Sequence, residues 1–147
     1  KGADSAAHIQ AGRWTIEAGL ELSLYVMLGI AGKSRSMQHA RATAAAINAI
    51  APHFIRLRTF VPKMNTPLLA EIEQGRFQMI GPHEVLRETL HIVEAVDSPS
   101  QLASDHYTNY VNIEGHLPAD RVRLIRTLKA ALTREEASFR PFFVGNQ

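Results

Sequence analysis

Apolar residues recur along the chain in two rhythms, a helical one and an alternating one, and the rhythms take turns. Over residues 3–18, Ala7, Ala11, Trp14 and Ala18 fall at steps of three and four, which predicts a helix with those four on its inner face. Asp4 or Ser5 can cap its start and Gly19 can stop it. "LELSLYVML", residues 20–28, then alternates before becoming wholly apolar. That predicts a strand covered on both faces, as in a parallel sheet. A second helix, capped by Ser34 or Ser36, runs to about Ile50 with Met37, Ala40, Ala44 and Ile47 on one face. Pro52 ends it. "HFIRLRTFV", residues 53–61, reads as a strand that puts Phe54, Arg56, Arg58 and Phe60 on one face and Ile55, Leu57, Thr59 and Val61 on the other.

The second half changes character. A short helix is predicted over residues 67–74 and stops at Gly75. The helix beginning near Pro82 turns Val85, Ile92, Val93 and Val96 inward. In it, Glu84, Arg87 and Glu88 read as a solvated face with weak ion pairs. Residues 98–115 read as loop, with a short strand around 107–113. A last helix follows Pro118 with Val122, Ile125, Leu128 and Leu132 as its stripe. The tail, residues 138–147, ends the chain frayed or packed by Phe142 and Phe143. Helix and strand in alternation, joined by short turns, specify an α/β fold with parallel strands and right-handed crossovers.

Composition narrows the function. The 147 residues suit one domain, with 46% hydrophobic and 20% charged residues. A formal charge of +2 with no Lys/Arg run argues against nucleic acid as a partner. No stretch approaches the roughly 20 apolar residues of a membrane span, and residues 1–10 carry no apolar signal core, so the expected place is the cytoplasm. The absence of cysteine removes disulfides, thiol nucleophiles and thiolate ligands from these residues. Seven scattered histidines show no HExxH and no helical pair four apart, so no metal site is expected.

Three stretches carry candidate chemistry. "GIAGKS" ends in Gly-Lys-Ser, but a phosphate loop needs a glycine five residues before Gly32, where Met27 stands; counted from Gly29 the turn is two residues short. Arg56 and Arg58 share one strand face and need anionic partners if that face is covered. "SDHYTNY" gathers Asp105, His106, Tyr107, Asn109 and Tyr110, a dense set of hydrogen-bonding groups that could bind a ligand or form a polar loop over the end of the sheet.

In order and spacing, Glu17-Ala18-Gly19, Leu28-Gly29-Ile30-Ala31-Gly32, Pro52-His53-Phe54-Ile55-Arg56-Leu57-Arg58-Thr59 and Thr66-Pro67-Leu68 resemble the second half of the barrel in radical S-adenosylmethionine iron–sulfur oxidoreductases. "LASDHYTNYVNIEGHLPAD" is similar to the segment that follows the barrel in some members. The resemblance implies a partial TIM-like (β/α) barrel over residues 1–68 and a mainly helical segment over 69–147, packed as one unit. It implies an enzyme whose CxxxCxxC loop, which holds a [4Fe–4S] cluster, lies in a preceding half that this chain lacks. The cofactor would be S-adenosylmethionine, contacted from Gly29, Ile30, Gly32, Arg58 and Phe60; Asp105, His106 and Asn109 would face the substrate. The family often has a glutamate soon after the loop glycine; here Gly32 and Lys33 stand there, which leaves backbone contacts. The implied partner is the N-terminal half of the parent, and the piece alone is expected to self-associate through open strand edges. The alternative from a different class is a non-catalytic α/β interaction or regulatory module.

Overall fold

The computed structural model describes residues 2–145; Lys1, Asn146 and Gln147, the first residue and the end of the tail, lie outside them. The element order is α1 (Ser5–Glu17), β1 (Ser23–Leu28), α2 (Ser36–Ile50), β2 (Phe54–Thr59), α3 (Pro67–Glu73), α4 (Pro82–Ala95), β3 (Ser100–Ala103), β4 (Glu114–Leu117) and α5 (Arg121–Leu132). Short 3-10 turns occupy Lys33–Arg35 and Glu136–Ser138. The strands form one open sheet in the order β1-β2-β3-β4. β1, β2 and β3 are parallel and β4 is antiparallel to β3. The fold is therefore mixed α/β with a mostly parallel sheet, and β1 and β4 are its edges.

Register explains where the core lies. Val26 pairs with Leu57, and Ile55 with Leu102, so buried residues run in rows across one face. α2, α4 and α5 cover that face with Ala40, Ala44 and Ile47, with Val85, Ile92 and Val93, and with Leu124 and Leu128. Within that layer α2 packs closely on α4, with Ala40 and Ala44 buried. The other face carries Tyr25, Met27, Arg58, Glu114 and His116, all exposed. β1 is thus covered on one face only, which corrects the expectation from its apolar run. Tyr25 and Met27 are large enough to look like core yet stand 61% and 47% exposed.

Several expected stripes are rotated. In α1 the inner residue is Gly12, where an added Cβ would stand 2.7 Å from the Ile50 side chain; Ala7, Ala11, Trp14 and Ala18 all face outward. The missing side chain at Gly12 is what allows α1 to lie close against α2. Asp4 caps α1 as expected, accepting the Ala7 amide at 2.8 Å. In α2, Met37 is exposed, and neither Ser34 nor Ser36 caps the helix. In α5 the buried stripe runs through Leu124, Leu128 and Ala131 at steps of four and three, and Val122, off that stripe, is exposed. Ahead of it, Asp120 accepts the His116 amide at 2.8 Å and pairs with Arg123 at 3.2 Å, which holds its carboxyl below the usual range. The expected strand at 107–113 is absent; strands lie on either side of that loop, and Ser104 closes it by donating its amide to the Ile113 carbonyl at 2.9 Å. The segment after residue 68 is therefore not only helical: it contributes β3 and β4 to the same sheet.

The largest correction concerns Glu88. It is fully buried on α4, not solvated. Its carboxyl accepts the Gly29 amide at 3.2 Å and the Ser36 hydroxyl at 2.6 Å, and it meets His39 Nδ1 at 2.7 Å. One side chain thereby ties α4 to the end of β1 and to the start of α2. Replacing Glu88 with Ala leaves those buried groups without a partner and is expected to cost about 3–5 kcal/mol; Glu88→Gln, which keeps one acceptor, is expected to cost less. Urea unfolding followed by circular dichroism measures both, and a loss under about 1 kcal/mol for the alanine variant would contradict the clamp.

Candidate functional site

The first three strands run parallel, so their C-terminal ends lie on one edge of the sheet, where α/β proteins place their ligands. Residues 29–32 follow β1, Arg58 and Phe60 stand at the end of β2, and Asp105, His106 and Asn109 follow β3. All the residues anticipated from the sequence therefore gather along this edge. They do not form one cavity.

Arg58, Asp105 and His106 come together in a shallow depression of about 320 Å³ on the open face, completed by Tyr25, Arg56 and Tyr107. The Arg58 guanidinium lies 4.3 Å from the Tyr25 ring centroid, a cation–π contact that fixes its position. Among the described residues, no carboxylate forms an ion pair with Arg56 or Arg58. His106 accepts or donates at 2.8 Å with the Thr108 hydroxyl and leans on Tyr107. Desolvation lowers its pKa, the Arg58 charge lowers it further, and Asp105 opposes both. A second depression of about 300 Å³ lies beside the first, lined by Phe54, Arg56, Gln101, Ala103, Asp105 and Glu114.

The remaining anticipated residues sit apart. Asn109 accepts the Thr59 amide at 2.7 Å and hydroxyl at 3.1 Å, and donates to the Leu57 carbonyl at 2.8 Å. Its side chain is a staple that fastens the loop after β3 to the end of β2. Gly29 is buried with φ +80°, and an added Cβ would press on Ile80 at 3.1 Å. Only glycine holds that turn without strain. Gly32 has φ +70° and lies against Phe77, whose ring meets Phe60 edge-on at 6.3 Å.

The loop is not a phosphate cradle. The Gly29 amide is engaged by Glu88, that of Gly32 by the Gly29 carbonyl at 3.1 Å, and that of Lys33 by the Gln78 carbonyl at 2.9 Å. The Ile30 and Ala31 amides keep no intramolecular acceptor among the described residues.

The tail borders this edge. Gly145 bridges to Lys63 in parallel, Phe143 stacks on Tyr107 at 6.2 Å, and Arg140 binds the Thr108 carbonyl. Phe143 packs as expected, whereas Phe142 is 58% exposed. Tyr107 belongs to the cluster singled out in the sequence, whereas Tyr25 was not anticipated as part of a site. The available signal for Tyr25 was its register, since it lies directly beside Arg56.

Comparison of the chain with protein-family models and with curated proteins gave no match. Among the described residues no group of three His, Cys, Asp or Glu could hold a metal ion, and no helix is long and apolar enough to cross a membrane.

The coupling of His106 to Arg58 is directly measurable. Arg58→Gln is expected to raise the His106 titration midpoint, and Asp105→Asn to lower it, read by NMR across pH 4–8. The sign for stability follows from the depressed value. The fold favours neutral His106, so its contribution is present above the unfolded-state value of about 6.5 and is lost as pH falls. A midpoint unmoved by Arg58→Gln would refute the coupling.

Proposed function

We propose that this chain is the C-terminal part of the catalytic barrel of a radical S-adenosylmethionine enzyme, working in the cytoplasm. It supplies one wall of the cofactor and substrate pocket and not the ligands of the [4Fe–4S] cluster. The observation that carries the reading is the pairing of a free strand edge with two uncovered surfaces. Among the described residues β1 pairs only with β2, and its six residues include none of the prolines, lysines or bulges that usually blunt an edge. Beside it α1 extends the helical layer beyond α2 and turns Ala7, Ala11, Trp14 and Ala18 to solvent, with Trp14 63% exposed. A preceding parallel strand with its helix would cover both, and continuing that pattern curls a sheet toward a barrel. The open face, with its arginines and aromatic side chains, would then become the inside. The motif order in the sequence, from Leu28-Gly29 to Thr66-Pro67-Leu68, is what supports this choice of family.

The residues present fit the two groups of such an enzyme differently. The cluster does not fit: the chain has no cysteine. S-adenosylmethionine fits better. Arg58, beside Tyr25 and without a carboxylate partner among the described residues, suits its carboxylate, and among the same residues the Ile30 and Ala31 amides at the end of β1 have no acceptor. When bound in the parent, this cofactor supplies a 5′-deoxyadenosyl radical on reductive cleavage. Gly29, Gly32 and Phe60 shape the cofactor end of the edge; Asp105 and His106 face the substrate, on a loop that Asn109 fastens. Without the other half, the β1 edge and the α1 stripe are the surfaces through which two copies of the chain would associate.

The test uses the whole parent protein. Its reading frame upstream of this chain is expected to encode CxxxCxxC, and the reduced, reconstituted protein to form 5′-deoxyadenosine, which this chain alone does not. Arg58→Gln in the parent is expected to weaken cofactor binding about tenfold, the usual scale of one charge-assisted contact. An upstream frame without the motif, or no 5′-deoxyadenosine from the whole protein, would overturn the proposal.

A further inference from the structure

The open face holds one guanidinium more than a single cofactor carboxylate uses. Arg56 and Arg58 are two residues apart on β2, so they leave the same face about 7 Å apart along the strand. Arg58 is positioned by the Tyr25 ring at 4.3 Å. Arg56 stands between Tyr25 on β1 and Ala103 on β3 and is half-buried. Among the described residues the Arg56 side chain makes no hydrogen bond and no ion pair, so its guanidinium fork is left to solvent or to a group from outside the chain. Both arginines line the depression of about 320 Å³ described above.

The charges around the pair decide what completes it. Asp105 is the one carboxylate in that depression, and His106 is biased toward its neutral form by desolvation and by Arg58. The depression therefore carries net positive charge, while its neighbour, with Asp105 and Glu114 around Arg56, does not. An oxyanion is favoured on the β1 side of Arg56, away from Glu114. Planar guanidinium forks bind carboxylate and phosphate oxygens two at a time.

We propose that Arg56 and Arg58 form a paired oxyanion site, in which Arg56 seats a carboxylate or phosphate of the substrate. The substrate class is then an anionic small molecule, its charged group lying close to whatever Arg58 holds. The inference rests on the reading of this face as the ligand side of a pocket, but it does not need the cofactor's identity. Asp105 acts against the anion and sets a limit on its affinity.

The pair can be tested on this chain with two simple probes, inorganic pyrophosphate and succinate, each offering two oxyanion groups a few ångströms apart. Binding is followed through the Arg56 and Arg58 Nε–H resonances. Saturable shifts at both arginines are expected. Arg56→Gln and Arg58→Gln should each weaken binding about tenfold, Asp105→Asn should tighten it severalfold, and Arg126→Gln, on the exposed side of α5, should change nothing. Stronger binding of pyrophosphate assigns a phosphate-bearing substrate, and stronger binding of succinate a carboxylic acid. No saturable binding of either probe, or an equal loss in Arg126→Gln, would overturn the inference. Failure here leaves the formation of 5′-deoxyadenosine by the parent untouched, and failure of that assay leaves the titration untouched, so the two readings fall separately.

Discussion

The Glu88 carboxyl organises the C-terminal edge of the sheet. It lies under the turn that leaves β1, where it gathers the Gly29 amide, the Ser36 hydroxyl and the His39 ring onto α4. A fully buried carboxyl is tolerated only when its oxygens are satisfied, and here three groups from one continuous stretch, residues 29–39, do so. The geometry of the turn follows. Gly29 takes a positive φ because its amide must point into the core while its α-carbon passes Ile80. The same arrangement sets "GIAGKS" apart from a phosphate loop: the amides of Gly29, Gly32 and Lys33 are engaged within the chain, which leaves those of Ile30 and Ala31.

A second constraint is the one-sided cover of the sheet. Helices α2, α4 and α5 shield one face, and the in-register rows Val26–Leu57 and Ile55–Leu102 make that face continuous. The other face is not a typical solvent face. It mixes Tyr25, Met27 and Phe54 with Arg56 and Arg58, and it ends at the loop that Asn109 fastens to β2. Among the described residues neither guanidinium has an ion-pair partner, and aromatic and methionine side chains stand beside them, which is what the proposal of a face covered by chain or ligand rests on. The opposite edge is the antiparallel β4, so β1 is the parallel edge of the sheet.

Much of this was legible in the sequence. The alternation of Ile55, Leu57 and Thr59 with Phe54, Arg56 and Arg58 predicts which side of β2 is buried, and Pro82 marks the start of α4. The helix faces were harder to read. Alanine and tryptophan in α1 share a stripe, yet the contact is made through Gly12, because close approach to Ile50 needs no side chain rather than a large one. Glu88 was missed although its position was informative: it stands three residues after Val85 and four before Ile92, on the apolar stripe itself. A charge on such a stripe signals a buried partner set. Asn109 looked like a ligand contact because amide side chains serve either purpose, and only the geometry shows both its oxygen and its nitrogen committed to β2. β3 and β4 escaped notice because four-residue strands leave too short a pattern.

The central claim is that one face of the sheet is open and the other is core, and the absence of native cysteine makes it easy to probe. Single cysteines at Met27 and at Val26 occupy adjacent positions on β1 and point to opposite faces. In the folded chain, Met27→Cys is expected to react with a thiol reagent at nearly the rate of the unfolded chain. Val26→Cys should react at least about a hundredfold more slowly, through opening of the structure alone. Equal protection at both positions would contradict the account, because the face proposed to meet a ligand would then already be covered.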